Sequence, residues 1–201
     1  VPQCAAGARS LPGRALRFDP RFVAILMPTL AAGVVSGSIS ISVPVVVSGQ
    51  GGPATAGIAL GLFAGGSAVG GLLFGALRVP GSPIKQLLVL ASGLVAISSI
   101  IAVVTEAVAV SVVLAGAGLF FSPVMIVAYL AAHQAGGEHR QNSATTWVNT
   151  SHNLGAAVGS AAAGIVIQVA AVPTAMLGVV GSAAVMLVAS AVLGRATPPT
   201  S

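Results

Sequence analysis

The 201-residue chain is 56% hydrophobic and 5% charged, with 26 glycines and a formal net charge of +5. Its 8 Lys and Arg and 3 Asp and Glu side chains cannot cover a water-soluble globule of this length, so the composition excludes a soluble fold and directs the apolar surface to lipid. The positive balance does not mark a nucleic-acid binder, because no basic stripe with interleaved aromatic residues occurs.

Residues 1–21 form an Arg-rich leading tail with Arg9, Arg14, Arg17 and Arg21. Arg recurs through it and no compact apolar core appears, so a cleaved leader is not expected. Val1 fits an alternative start or a chain cut from something longer. Cys4, the single cysteine, allows no disulfide framework and is expected to be inert.

A bilayer core of about 30 Å takes about 20 helical residues per crossing, and six apolar runs of that order follow. The first, Phe22–Ser48, contains Pro28 and Pro44, which either kink the helix around a cavity or are merely tolerated in a membrane helix. The second, Ala54–Leu77, carries Gly57, Gly61 and Gly65 at intervals of four, followed by Gly66 with Gly70 and Gly71 with Gly75. Such stripes let a second helix approach closely, as a moving interface or as static packing. The apolar stretch from Gln86 to Ala131 is too long for one crossing and divides at Glu106. This gives Gln86–Val104 and Ala107–Ala131, the latter with Pro123. A carboxylate left at the bilayer centre would cost about 2.5 to 3.5 kcal/mol. The last two runs are Ala144–Gln168 and Pro173–Leu193, and residues 194–201 form a trailing tail.

The basic residues provide an independent check on this division. Arg9, Arg14, Arg17 and Arg21 precede the first span, Arg78 and Lys85 lie between the second and third, Arg140 between the fourth and fifth, and Arg195 after the sixth. All eight therefore fall on one side, and the opposite connections around Gln50, Glu106 and Ala171 hold none. Short loops rich in Lys and Arg stay cytoplasmic, so both termini are expected there, in a multi-pass protein of the plasma membrane.

The fifth span is the most informative. At about 100° per residue, Thr145, Asn149, His152, Asn153, Ala156, Gly159 and Ser160 share an arc of about 120°, while Trp147, Leu154, Val158 and Ile165 lie opposite. His152 stands about eight residues into the span, roughly 12 Å deep. Polar groups at that depth face protein or a water-filled cavity. A neutral imidazole there can bind substrate or relay a proton, or it can simply hydrogen-bond a neighbouring helix. Tyr129 is a further cavity candidate, or an interfacial anchor. Gly155 and Gly159 are expected to serve helix packing, together with Gly57, Gly61 and Gly65. No catalytic residue, metal site or cofactor is expected.

The segment from Glu138 to Gln168, EHRQNSATTWVNTSHNLGAAVGSAAAGIVIQ, resembles the loop and eleventh helix of major facilitator superfamily carriers, particularly the drug and sugar efflux members. The segment GLLFGALRVPGSPIK, from Gly71 to Lys85, looks like a degraded form of the family's cytoplasmic loop after the eighth helix. Arg78 and Lys85 are kept there but the usual acidic residue is missing. The resemblance spans residues 22–193, matched to helices seven to twelve, with the leading tail standing for the end of the family's central loop. It implies an all-α membrane protein that supplies one six-helix half of a carrier, with a small-molecule substrate and with the N-terminal half, or another half, as partner.

Three functions follow as expectations. The first is efflux of a small organic molecule as part of a secondary carrier. The second is a truncated, non-transporting remnant or scaffold. The third, an intramembrane serine protease, is disfavoured: the strings around Ser38 and Ser67 fail the required G-x-S-G pattern, and no Ser/His pairing is legible.

Overall fold

A computed structural model describes residues 19–77 and 79–195, the side chains of 137–140 excepted. Arg9, Arg14, Arg17, Cys4, Arg78 and the tail beyond Arg195 lie outside the described residues, as does the side chain of Arg140. Helix α1 spans Pro20–Gly51, α2 Pro53–Ala76, α3 Pro83–Ser99 with a 3-10 turn over Ile100–Ala102, α4 Ala107–Val169 and α5 Val172–Arg195. No strand occurs among the described residues. Pro20, Pro53 and Pro83 each open a helix, where the missing N–H has no intrahelical partner to lose. A single residue, Gly52, joins α1 to α2; its φ of 77° is one that a side chain would resist.

Helix α4 is assigned continuously over 63 residues, yet it is not one rod. Tyr129 Oη and Asn149 Oδ1 lie 3.4 Å apart, where a straight helix would separate their positions by about 30 Å. A Cβ placed on Gly136 would stand 3.0 Å from Gln141 Cα. The chain therefore reverses between Gly136 and Gln141, leaving two antiparallel arms, Ala107–Gly136 and Gln141–Val169. The polar stretch before Ala144, expected as a loop, is instead helical on both sides of a tight reversal.

With α4 counted as two arms, six helices are long and apolar enough to cross a membrane, which by length and composition makes this a multi-pass membrane protein. Large apolar side chains such as Ile58, Leu72, Val89, Val108 and Val185 point outward, as lipid contact requires. The interior is built from Ala, Val, Gly and Ser. Helix α1 is the central element, 61% buried across its most apolar window against 11% for α2, and its buried residues fall on every face.

Helix α1 packs on the second arm of α4 and on α5, while the first arm packs on α2 and α3.

Two of the helix seams are made by glycine. On α1, a Cβ on Gly33 would fall 2.1 Å from His152 O and one on Gly37 2.1 Å from Ala156 O. Reciprocally, Cβ atoms on Gly155 and Gly159 would fall 2.2 Å from Leu30 O and Val34 O. On the other seam, Gly66 and Gly70 meet Ala115 O and Leu119 O, and Gly118 meets Phe63 O. Only hydrogen side chains permit this backbone contact. Gly155 and Gly159 thus face α1, whereas nothing in this chain lies within 4 Å of a Cβ at Gly57, Gly61 or Gly65. The stripe that packs within this chain is offset by one residue, at Gly66 and Gly70, which turns it about 100° around α2.

The prolines have local consequences. Pro28 has no N–H to offer Ala24 O four residues back, and Ser190 Oγ of α5 donates to that carbonyl at 2.6 Å. Pro123 likewise frees Leu119 O, the carbonyl that Gly70 approaches. At Pro28 the lost hydrogen bond is thus replaced from a neighbouring helix.

The ends of the bundle are distinct. Gln50, at the end of α1, donates its side-chain amide to Thr105 O and accepts from Ala107 N at 3.0 Å. The α1 end and the turn bearing Glu106 therefore share one face. At the other face a Cβ on Gly194 would stand 3.1 Å from the Ile84 side chain, so Lys85 and Arg195 lie at one end, with Arg21. The described basic residues of the spans thus gather at the end opposite Glu106, as the charge pattern requires.

Candidate functional site: a polar face at mid-depth

The second arm of α4 divides into three faces. Ala144, Val148, Gly155, Gly159 and Ala163 are buried. Trp147, Leu154, Val158 and Ile165 are exposed, on the side assigned to lipid. Between them Asn142, Thr146, Asn149, Thr150 and Asn153 form an exposed polar ridge. Asn142, Thr146 and Thr150 were not singled out from the sequence, although Asn142, Thr146, Asn149 and Asn153 follow the i, i+4, i+7, i+11 spacing that would have found them.

The expected cavity residues separate into distinct roles. Asn149 and Asn153 are exposed, and Tyr129 Oη donates to Asn149 Oδ1 at 3.4 Å across the α4 hairpin. The Thr145 hydroxyl is engaged by its own helix, 3.1 Å from Gln141 O and 3.0 Å from Asn142 O, so it has no proton to spare. His152 is half-buried beside this ridge. Its ring meets Phe121 edge-on at 5.5 Å, and Phe121 in turn meets Phe63 of α2 at 5.4 Å. Its Nδ1 is buried without a hydrogen-bond partner. His152 therefore combines a ring contact to the other arm of α4 with an unspent polar atom.

The remaining small face of the arm is structural. Ser160 Oγ donates to Gly37 O at 3.0 Å, Ser151 Oγ to Leu26 O at 3.0 Å, and Ser38 Oγ lies 3.0 Å from Gly159 O. Ala156, Gly159 and Ser160, placed by periodicity on the same arc as Asn149, thus belong to the α1 seam. The seam holds His152 in place, since its own carbonyl is the atom Gly33 approaches.

His152 is about 11 residues into an arm 29 residues long, close to mid-depth. The site so formed is neutral: two exposed carboxamides, a phenol and an imidazole, flanked by Phe63 and Phe121. No group of three or more potential metal ligands occurs among the described residues. Comparison with known proteins finds no matching family model, no matching curated protein and no matching solved structure.

Proposed function

We propose that this chain is one six-helix half of a major-facilitator-type secondary carrier that exports a small organic molecule. The carrying observation is the ridge of Asn149 and Asn153, polar and exposed near mid-depth on an arm long enough to cross a bilayer, with the half-buried Tyr129 and His152 beside it. Exposed carboxamides are costly against lipid tails, so a protein wall or an aqueous path covers them. Six spans are the size of a carrier half, and carriers bind substrate near the midplane. A second six-helix half closes the site, and Phe63 and Phe121 supply an apolar wall for the substrate. Both termini face the cytoplasm, with the basic end inward.

The rival reading, a remnant or scaffold without transport, has the same packing but needs no partner over the ridge. A photoreactive benzoylphenylalanine at Asn153 in native membranes separates the two. The carrier reading expects an adduct with a second protein segment of six spans, in this polypeptide or another. Adducts with lipid alone would refute it.

A further inference from the structure

We propose that the groove between the end of α2 and the start of α3 binds an anionic phospholipid. It has a volume of about 300 Å³ and is lined mainly by Phe74, Val79, Pro80, Val89 and Leu90, with Lys85 at its mouth. Nothing in the transport reading uses it.

Three features select this occupant. The lining is apolar except at one end, and that end coincides with the basic end of the bundle, where lipid headgroups lie. Lys85 is exposed and has no partner among the described residues, so its ammonium is available to a phosphate. Its neighbours Val89 and Leu90 follow one turn later, about 6 Å deeper, so a ligand that meets Lys85 with its head lays its chain along α3. The groove's upper wall is also held in shape: Gln86 donates its side-chain amide to Val79 O at 2.7 Å, which pins the connection after α2. That connection turns at Gly81, whose φ of 130° a side chain would resist. A zwitterionic lipid offers the same chain but brings its own cation to Lys85, so selection rests on the headgroup. A free phosphate has no use for the apolar lining.

The test titrates the detergent-solubilised full chain with dioleoylphosphatidylglycerol and with dioleoylphosphatidylcholine and counts retained lipid by native mass spectrometry. The expected result is one phosphatidylglycerol retained at least tenfold more readily than phosphatidylcholine. Lys85→Gln loses the preference and Lys85→Arg keeps it. Val89→Trp, at a lining position 70% exposed and so tolerant of bulk, blocks retention. Arg195→Gln, at the same end but not in the groove's lining, changes nothing. Equal retention of the two lipids overturns the proposal, as does unchanged retention in either Lys85→Gln or Val89→Trp. Displacement of the lipid by glycerol 3-phosphate at equal concentration overturns it as well, because a headgroup site alone would then explain the binding.

Discussion

Replacing Gly159 with alanine probes the seam on which the mid-depth site rests. The new Cβ would lie 2.2 Å from Val34 O and 2.8 Å from Val34 Cα, where ordinary contact begins at 3.4 Å. Both near atoms are backbone, so no side chain can rotate away, and α1 must withdraw from the second arm of α4 by about 1.2 Å. Overpacking of this kind costs about 1 to 3 kcal/mol. The same withdrawal stretches the Ser160–Gly37 hydrogen bond of 3.0 Å, at about 0.6 kcal/mol within a membrane, whereas the Ser38 hydroxyl keeps its 2.8 Å bond to Val34 O on its own helix. Alanine's better helix propensity returns up to about 1 kcal/mol. The net loss is about 1 to 3 kcal/mol, read as a lower midpoint in titration of the folded protein from mild micelles into sodium dodecyl sulfate. Gly61→Ala is the matched control, with nothing within 4 Å of its Cβ, and is expected to lose no stability. A Gly159→Ala protein as stable as the parent, or a Gly61→Ala protein equally damaged, would refute the assigned seam.

Two further outcomes follow from the backbone pairings. Ser190→Ala leaves Ala24 O without the donor that Pro28 cannot supply and is expected to cost about 1 kcal/mol in the same titration; in a Pro28→Ala background, where the helix amide is restored, Ser190→Ala should cost little. Gln50→Ala removes the acceptor of the Ala107 amide, and hydrogen exchange at Ala107 is expected to quicken about tenfold, the equivalent of about 1.4 kcal/mol; an unchanged rate would mean that the clamp contributes nothing.

Much of the fold was legible because the bilayer constrains it so strongly. Length and hydropathy located all six spans, and the placement of Arg21, Lys85 and Arg195 anticipated which ends of the helices meet. The α4 hairpin was not legible as a continuous helix, since Gly136 and the polar residues around it signal a loop by composition. Packing register was half-legible. A G-x-x-x-G repeat states that a helix can be approached but not from which side, and α2 carries several overlapping repeats, of which the one at Gly66 and Gly70 meets a partner here. In the site, periodicity put Asn149, His152 and Asn153 on one arc, and the structure has Asn149 and Asn153 exposed with His152 half-buried beside them. Periodicity could not show that Thr145 bonds back to its own helix or that Gly159 and Ser160 turn to α1, because an arc of 120° is wider than one helix contact. Phe63 and Phe121 were missed since each is one apolar residue among many, and only the fold brings them to His152.

The central claim is that the polar ridge of the second α4 arm lines an aqueous path at mid-depth. It is tested most directly by single-cysteine accessibility along residues 142–165 in native membranes, in a background where Cys4, the only native cysteine, is replaced by serine. A small charged methanethiosulfonate reagent is expected to label positions 142, 146, 149 and 153 rapidly and positions 147, 154, 158 and 165 at least tenfold more slowly, a helical pattern with its maximum on the carboxamide face. Equal protection of both sets, or faster labelling on the Leu154 and Val158 side, would contradict the account.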